Sequence, residues 1–183
     1  YNNYAKNNLG IIYKRGFNEV EPNIYNSQIY FTEAIKEKDD LLSKYNLANI
    51  LIDINKGYDE SIKLLISSAE FEPSAILLSL VLIRKYGNVD LSMLKKEFKK
   101  YNKENEELIS HIYNHLENFR SSIYLCRNFM TDALYMKARN TDFVYINDRI
   151  TTIHELDEQI NTIPKLSDIN EMFYEGFGIN LYQ

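Results

Sequence analysis

The chain has 183 residues, 45% of them hydrophobic and 26% charged, which is the balance of a folded chain and excludes wholesale disorder. Six Gly and three Pro are too few for the many tight turns of an all-β fold, and the longest apolar run, Ala75 to Ile83 with Ser79 inside it, falls far short of a membrane span. The net charge of −5 is uneven: residues 1–103 carry 15 Lys/Arg against 13 Asp/Glu, residues 104–183 only 6 against 13, so the second half disfavours a nucleic-acid surface.

Helical periodicity dominates from the first residues. Ala5, Leu9, Ile12 and Tyr13 form one stripe, broken at Gly16. A second helix is expected to enter near Pro22, a residue tolerated in the first helical turn, with Ile24, Ser27, Phe31, Ala34 and Ile35 facing inward. Leu47, Ile50, Leu51 and Ile54 mark a third helix that Gly57 breaks. Tyr58, Ile62, Leu65 and Ala69 mark a fourth. Pro73 opens a fifth, apolar almost all round, as expected of a helix packed between neighbours, and Gly87 ends it. Leu91, Leu94, Phe98 and Tyr101 give a sixth helix its apolar stripe.

These helices fall into pairs that repeat. Leu9-Gly10 aligns with Leu47-Ala48, Ala34 with Ala69, and Gly57 with Gly87, which gives units of roughly 30–40 residues. Each amphipathic pair leaves an apolar face that a following pair can cover, which is the logic of an α-solenoid. Small residues at positions 10, 48 and 69 would let helix backbones approach closely.

Ala5, Leu9-Gly10, Tyr13, Gly16 and Val20, followed by Ser27, Tyr30 and Ala34, resemble a Sel1-like repeat. That family has Ala where this chain has Ser27, and a second Gly within the stretch held here by Phe17-Asn18-Glu19. The second unit keeps Leu47-Ala48, Gly57 and Ala69, and the third keeps less. Tetratricopeptide repeats are the close relative. The resemblance covers about residues 2–102. It implies an all-α solenoid of antiparallel helix pairs and a role in binding proteins or peptides. The expected organisation is a helical-repeat region of three pairs over 1–103, with an acidic helical extension over 104–183 packed on it as a cap.

In that extension, Ile109, Ile112, Tyr113 and Leu116 form one stripe, and Phe119, Ile123, Cys126, Met130 and Ala133 a longer one. Asn140-Thr141-Asp142 signals a turn, and Phe143 to Ile146 a short extended piece. Thr152 with Glu155 has the spacing of a capping box ahead of a helix that Pro164 ends. Asp168 with Glu171 has the same spacing ahead of a short helix ending at Gly176.

Chemistry-bearing constellations are few. Glu107, His111 and His115 share one helix face at i, i+4 and i+8, and a His pair at that spacing can hold zinc with a carboxylate. The Glu that would follow the first His in a metalloprotease helix is missing, and the face lies opposite the Ile109/Leu116 stripe. An exposed polar face is therefore the expectation, with no cofactor assigned; a metal would need ligands from elsewhere in the chain. Lys95, Lys96, Lys99, Lys100 and Lys103 surround Phe98 and Tyr101 and flank the apolar stripe. Lys95, Lys96 and Lys99, with Phe173, Tyr174 and Phe177 of the aromatic tail, are the candidate partner surface. The single cysteine, Cys126, excludes an internal disulfide and the Cys-based zinc sites; as a core thiol it fits a reducing, intracellular (cytoplasmic) location. The chain opens on Tyr1 without a leader, which makes a piece of a longer protein the expectation.

The repeat pattern and the resemblance together imply a non-enzymatic interaction scaffold or adaptor whose partner is a protein or peptide; nucleic acid and a membrane span are not expected. The alternative is a helical domain of a larger enzyme, or of a ligand-binding regulatory protein with its site in the C-terminal half. A third reading docks the acidic half on the chain's own basic helix.

Overall fold

The computed structural model describes residues 2–54, 57–126 and 128–156, with side chains described outside 121–131. The chain is mostly helical: α1 (Asn2–Arg15), α2 (Ile24–Lys38), α3 (Leu41–Ile54), α4 (Asp59–Ser67), α5 (Glu72–Tyr86), α6 (Leu91–Lys100), α7 (Glu106–Cys126) and α8 (Asn128–Arg139). These are followed by one antiparallel two-stranded sheet, β1 (Phe143–Ile146) and β2 (Arg149–Thr152). The class is all-α, with one small hairpin among the described residues. No described helix is long and apolar enough to cross a membrane. The residues form two compact units. One joins the chain up to Asn46 with the chain from Thr141 onward; the other is Leu47–Asn140. Residue 103, where the charge balance changes, lies inside the second.

In the first unit, α1 and α2 run antiparallel. Lys6 pairs with Glu33 and Glu37 at one end, and Tyr13 stacks on Tyr30 at the other with ring centroids 5.4 Å apart. Between them Gly10 meets the ring of Phe31, which is fully buried. Ser27, standing where the repeat pattern has Ala, donates its hydroxyl to the Gly10 carbonyl at 2.6 Å. Gly16 ends α1 in the left-handed region at φ 76°, its N–H returning to the Ile12 carbonyl at 2.7 Å. Asn23 caps α2 by accepting the Asn26 N–H at 3.0 Å, so the helix starts just after Pro22.

The buried face of α1 is not the apolar stripe expected from periodicity. Asn3, Asn7, Asn8, Gly10, Ile11 and Ile12 are buried, whereas Ala5 and Leu9 are only half-buried. The amides of Asn7 and Asn8 can sit inside because both find partners. Asn7 accepts from Ser43 Oγ at 3.1 Å and from Asn46 Nδ2 at 2.8 Å. Asn8 donates to the Tyr145 carbonyl at 2.8 Å and accepts the Tyr145 N–H at 2.9 Å, so one side chain satisfies both backbone groups of Tyr145 in β1. The hairpin turns at Asn147 and Asp148, both at positive φ, as a two-residue type I′ turn requires. Thr152 then caps the next helical turn by accepting the Glu155 N–H at 3.1 Å, while the Glu155 carboxylate takes the Thr151 hydroxyl at 2.7 Å. Ile146, Ile153 and Leu156 pack with Ile12, Phe17 and Val20. Asp142 is buried between Lys14 at 2.5 Å and Arg15 at 2.9 Å.

Asp40 accepts the N–H of Ser43 at 3.0 Å at the start of α3, and also the hydroxyls of Ser43 and Tyr145. Burial pushes the Tyr145 hydroxyl far above its ordinary pKa of 10.0, and the hydrogen bond to Asp40 adds to it, because an ionised ring would face a carboxylate. A phenol held neutral in the folded chain contributes stability that is complete below the unfolded pKa and is lost as pH rises beyond it. Wild type is therefore expected to lose stability above pH about 10, with a shallower loss in Tyr145→Phe. Denaturation midpoints between pH 8 and about 11 check this; equal slopes for the two proteins would contradict it.

In the second unit, Ser61 of α4 donates its hydroxyl to the Ala48 carbonyl of α3 at 3.2 Å, repeating the Ser27–Gly10 contact. Ile62, Leu65 and Ile66 of α4 are fully buried. α5 carries Pro73 in its first turn, packs against α4, α7 and α8, and buries Ala75, Leu77, Leu78, Leu80, Val81 and Leu82. α6 starts on Asp90, which accepts the Met93 N–H at 2.8 Å, and anchors itself by Leu94 and Phe98. Leu91 stays 38% exposed, unlike the rest of its expected stripe, because α6 is short and only its middle faces the core. α7 contributes Leu108, Ile109, Ile112 and Leu116 to the core.

Candidate functional site

Two features of the second unit bring chemistry-bearing side chains together. The first joins α5 and α7. Glu72 is the first residue of α5, at the helix N-terminus, where the backbone dipole favours a carboxylate. His111 and His115 lie one turn apart on α7, their rings 4.8 Å apart and inclined at 75°. His111 Nε2 is 2.6 Å from Glu72 Oε2, and His115 Nε2 is 2.7 Å from Glu72 Oε1. An ionised carboxylate only accepts, so each Nε2 carries the hydrogen and donates it. Glu72 and His111 are exposed; His115 is half-buried and stacks on Phe119. Burial pushes the Glu72 carboxyl up, but the hydrogen bonds from His111 and His115 outweigh it and hold the group below the ordinary carboxylate value.

The two histidines of the expected trio thus meet, with a carboxylate from another helix. Glu107 is exposed on α7 and is not among the residues that converge with them. Glu72 has no spacing signal in the sequence, because it lies 39 residues from His111. Only the packing of α5 on α7 brings it there.

The second feature is a cleft of about 540 Å³ between α6 and the start of α7. Leu91, Ser92, Lys95, Lys96 and Lys99 form one wall; Glu104, Glu106 and Ile109 form the other. Lys95, Lys96 and Lys99 are exposed. None of the three has an ion-pair partner among the described residues, whereas Lys85 is 2.5 Å from Asp59 and Lys103 is 2.8 Å from Glu70. Lys100 lies over the ring of Tyr101. The lysine row expected as a partner surface therefore lines a groove with apolar side chains at hand. Phe173, Tyr174 and Phe177 lie outside the described residues, as do the side chain of Cys126 and the features expected at Pro164, Asp168 and Gly176.

No family model, curated protein or solved structure matches the chain.

Proposed function

We propose that the chain is a non-enzymatic interaction module built from Sel1-like or tetratricopeptide-like helix pairs, and that the α6/α7 cleft takes a protein segment with an apolar anchor flanked by acidic residues. The carrying observation is the row Lys95, Lys96 and Lys99, unpaired among the described residues, beside exposed Leu91. Cations without internal partners are complementary to acids on another chain, and the apolar side chain of Leu91 supplies burial that charge alone does not. Glu104 and Glu106 on the facing wall repel a continuous polyanion, which favours a protein segment over nucleic acid. The repeat reading is supported by the recurrent serine contact, Ser27 to Gly10 and Ser61 to Ala48, whose acceptors Gly10 and Ala48 are positions that the sequence pattern aligns. A solenoid arrangement of the pairs and an intracellular setting belong to the same proposal.

Fluorescence anisotropy with a labelled peptide bearing one Leu between acidic residues tests it on the full chain. Wild type is expected to bind, more weakly as salt rises, and Lys95→Glu/Lys96→Glu/Lys99→Glu to bind at least about tenfold more weakly. Absent binding at low salt, binding indifferent to the charge reversal, or equal binding of a single-stranded oligonucleotide would each overturn the proposal.

A further inference from the structure

The α5/α7 cluster offers two imidazole nitrogens and one carboxylate, all ligand atoms within 4.8 Å of one another. From this convergence we infer that Glu72, His111 and His115 form a binding site for a borderline divalent transition metal of the zinc class, which clips the first turn of α5 to α7.

The donor set selects the metal. Two neutral imidazoles and one carboxylate suit Zn²⁺, Co²⁺ or Ni²⁺, whereas Ca²⁺ and Mg²⁺ require oxygen-rich shells. The spacing is also suitable. Zinc holds nitrogen and oxygen ligands at about 2.0–2.2 Å, so neighbouring ligand atoms in a tetrahedral shell stand roughly 3.3 Å apart. The present Nε2 to carboxylate distances of 2.6 and 2.7 Å are hydrogen-bond distances and need to open by roughly 0.7 Å. Glu72 is about half exposed, and its side chain can turn by that amount without moving either helix. The proton balance is simple: each imidazole shifts its hydrogen from Nε2 to Nδ1 and stays neutral, which frees the Nε2 lone pair. His111 and His115 already share one face of α7 at the i, i+4 spacing, so one rigid element fixes two ligands. The stacking of His115 on Phe119 holds the second ring in place.

Titration of the full chain, free of any affinity tag, with ZnCl₂ by calorimetry and with CoCl₂ by visible absorption tests the site. One Zn²⁺ per chain is expected, together with a rise in melting temperature on saturation. Glu72→Gln and His111→Ala are each expected to weaken binding at least about tenfold, and Glu107→Gln to leave it unchanged. His111 is exposed, so that variant keeps the fold even if His115→Ala does not; far-ultraviolet circular dichroism verifies it. No binding of either metal, or binding that Glu72→Gln and His111→Ala leave intact, would overturn the assignment. So would a loss from Glu107→Gln as large as that from Glu72→Gln, since the carboxylate ligand would then lie on α7 itself.

Discussion

Asn8→Ala is expected to destabilise the protein by about 2–4 kcal/mol, more than most single substitutions. Asn8 is fully buried and makes no apolar contribution of note; its whole effect lies in its amide. That amide holds both the N–H and the C=O of Tyr145, at 2.9 and 2.8 Å. Tyr145 is itself buried, so water cannot replace the lost partner at either group. Each orphaned backbone group costs about 1–3 kcal/mol, and the small cavity left by the side chain adds to that. Asn8→Asp serves as the discriminating control: it retains the acceptor for Tyr145 N–H but places a carboxylate against the Tyr145 carbonyl. It is therefore expected to be destabilised as well, and more so at neutral pH than in mild acid, where the protonated form can donate again. Urea denaturation measures both. An Asn8→Ala midpoint near that of wild type would show that β1 does not depend on this clamp.

Gly10→Ala is expected to cost about 1–2 kcal/mol, although Ala is the better helix former. The added methyl would lie 2.6 Å from Cδ1 and 2.7 Å from Cζ of Phe31, and closer still to Cε1. A flexible surface side chain would simply swing away. Phe31 cannot, because its ring is fully enclosed in the first unit. Helix propensity returns up to about 1 kcal/mol, and overpacking costs about 1–3, so the clash prevails. Shortening the obstacle should help: in Gly10→Ala/Phe31→Leu the two costs are expected to add to less than their sum, because each removes part of the reason for the other. Strictly additive denaturation energies would mean that the methyl and the ring do not meet.

These two positions also mark what the sequence does and does not disclose. Gly10 was legible, since a small residue at a repeated helical position signals close approach. Asn8 was not. An amphipathic stripe is recognised by apolar side chains, and the buried face of α1 is built partly from Asn3, Asn7 and Asn8. Asn7 and Asn8 are buried against partners in α3 and β1, far away in sequence. The β-hairpin was half legible. Phe143 to Ile146 has the composition of a strand, but β2 is four residues long and its turn uses Asn147-Asp148 in place of the commoner Asn-Gly. Thr152 could be placed as a cap because capping is local. The same distinction governs the candidate sites. Lys95, Lys96 and Lys99 fall on one face of a single helix, so their grouping shows in the spacing. Glu72 joins His111 and His115 only through the packing of α5 on α7, and Glu107, the carboxylate that spacing offered, is not the one that meets them.

The most direct test of the interaction proposal is to locate a bound acidic peptide on the isotopically labelled chain by amide chemical-shift mapping. The proposal predicts shifts concentrated at Leu91 to Lys99 and Glu104 to Ile109, removed by 0.5 M salt. Shifts that fall elsewhere and leave α6 undisturbed, or a spectrum unchanged by saturating peptide, would contradict it.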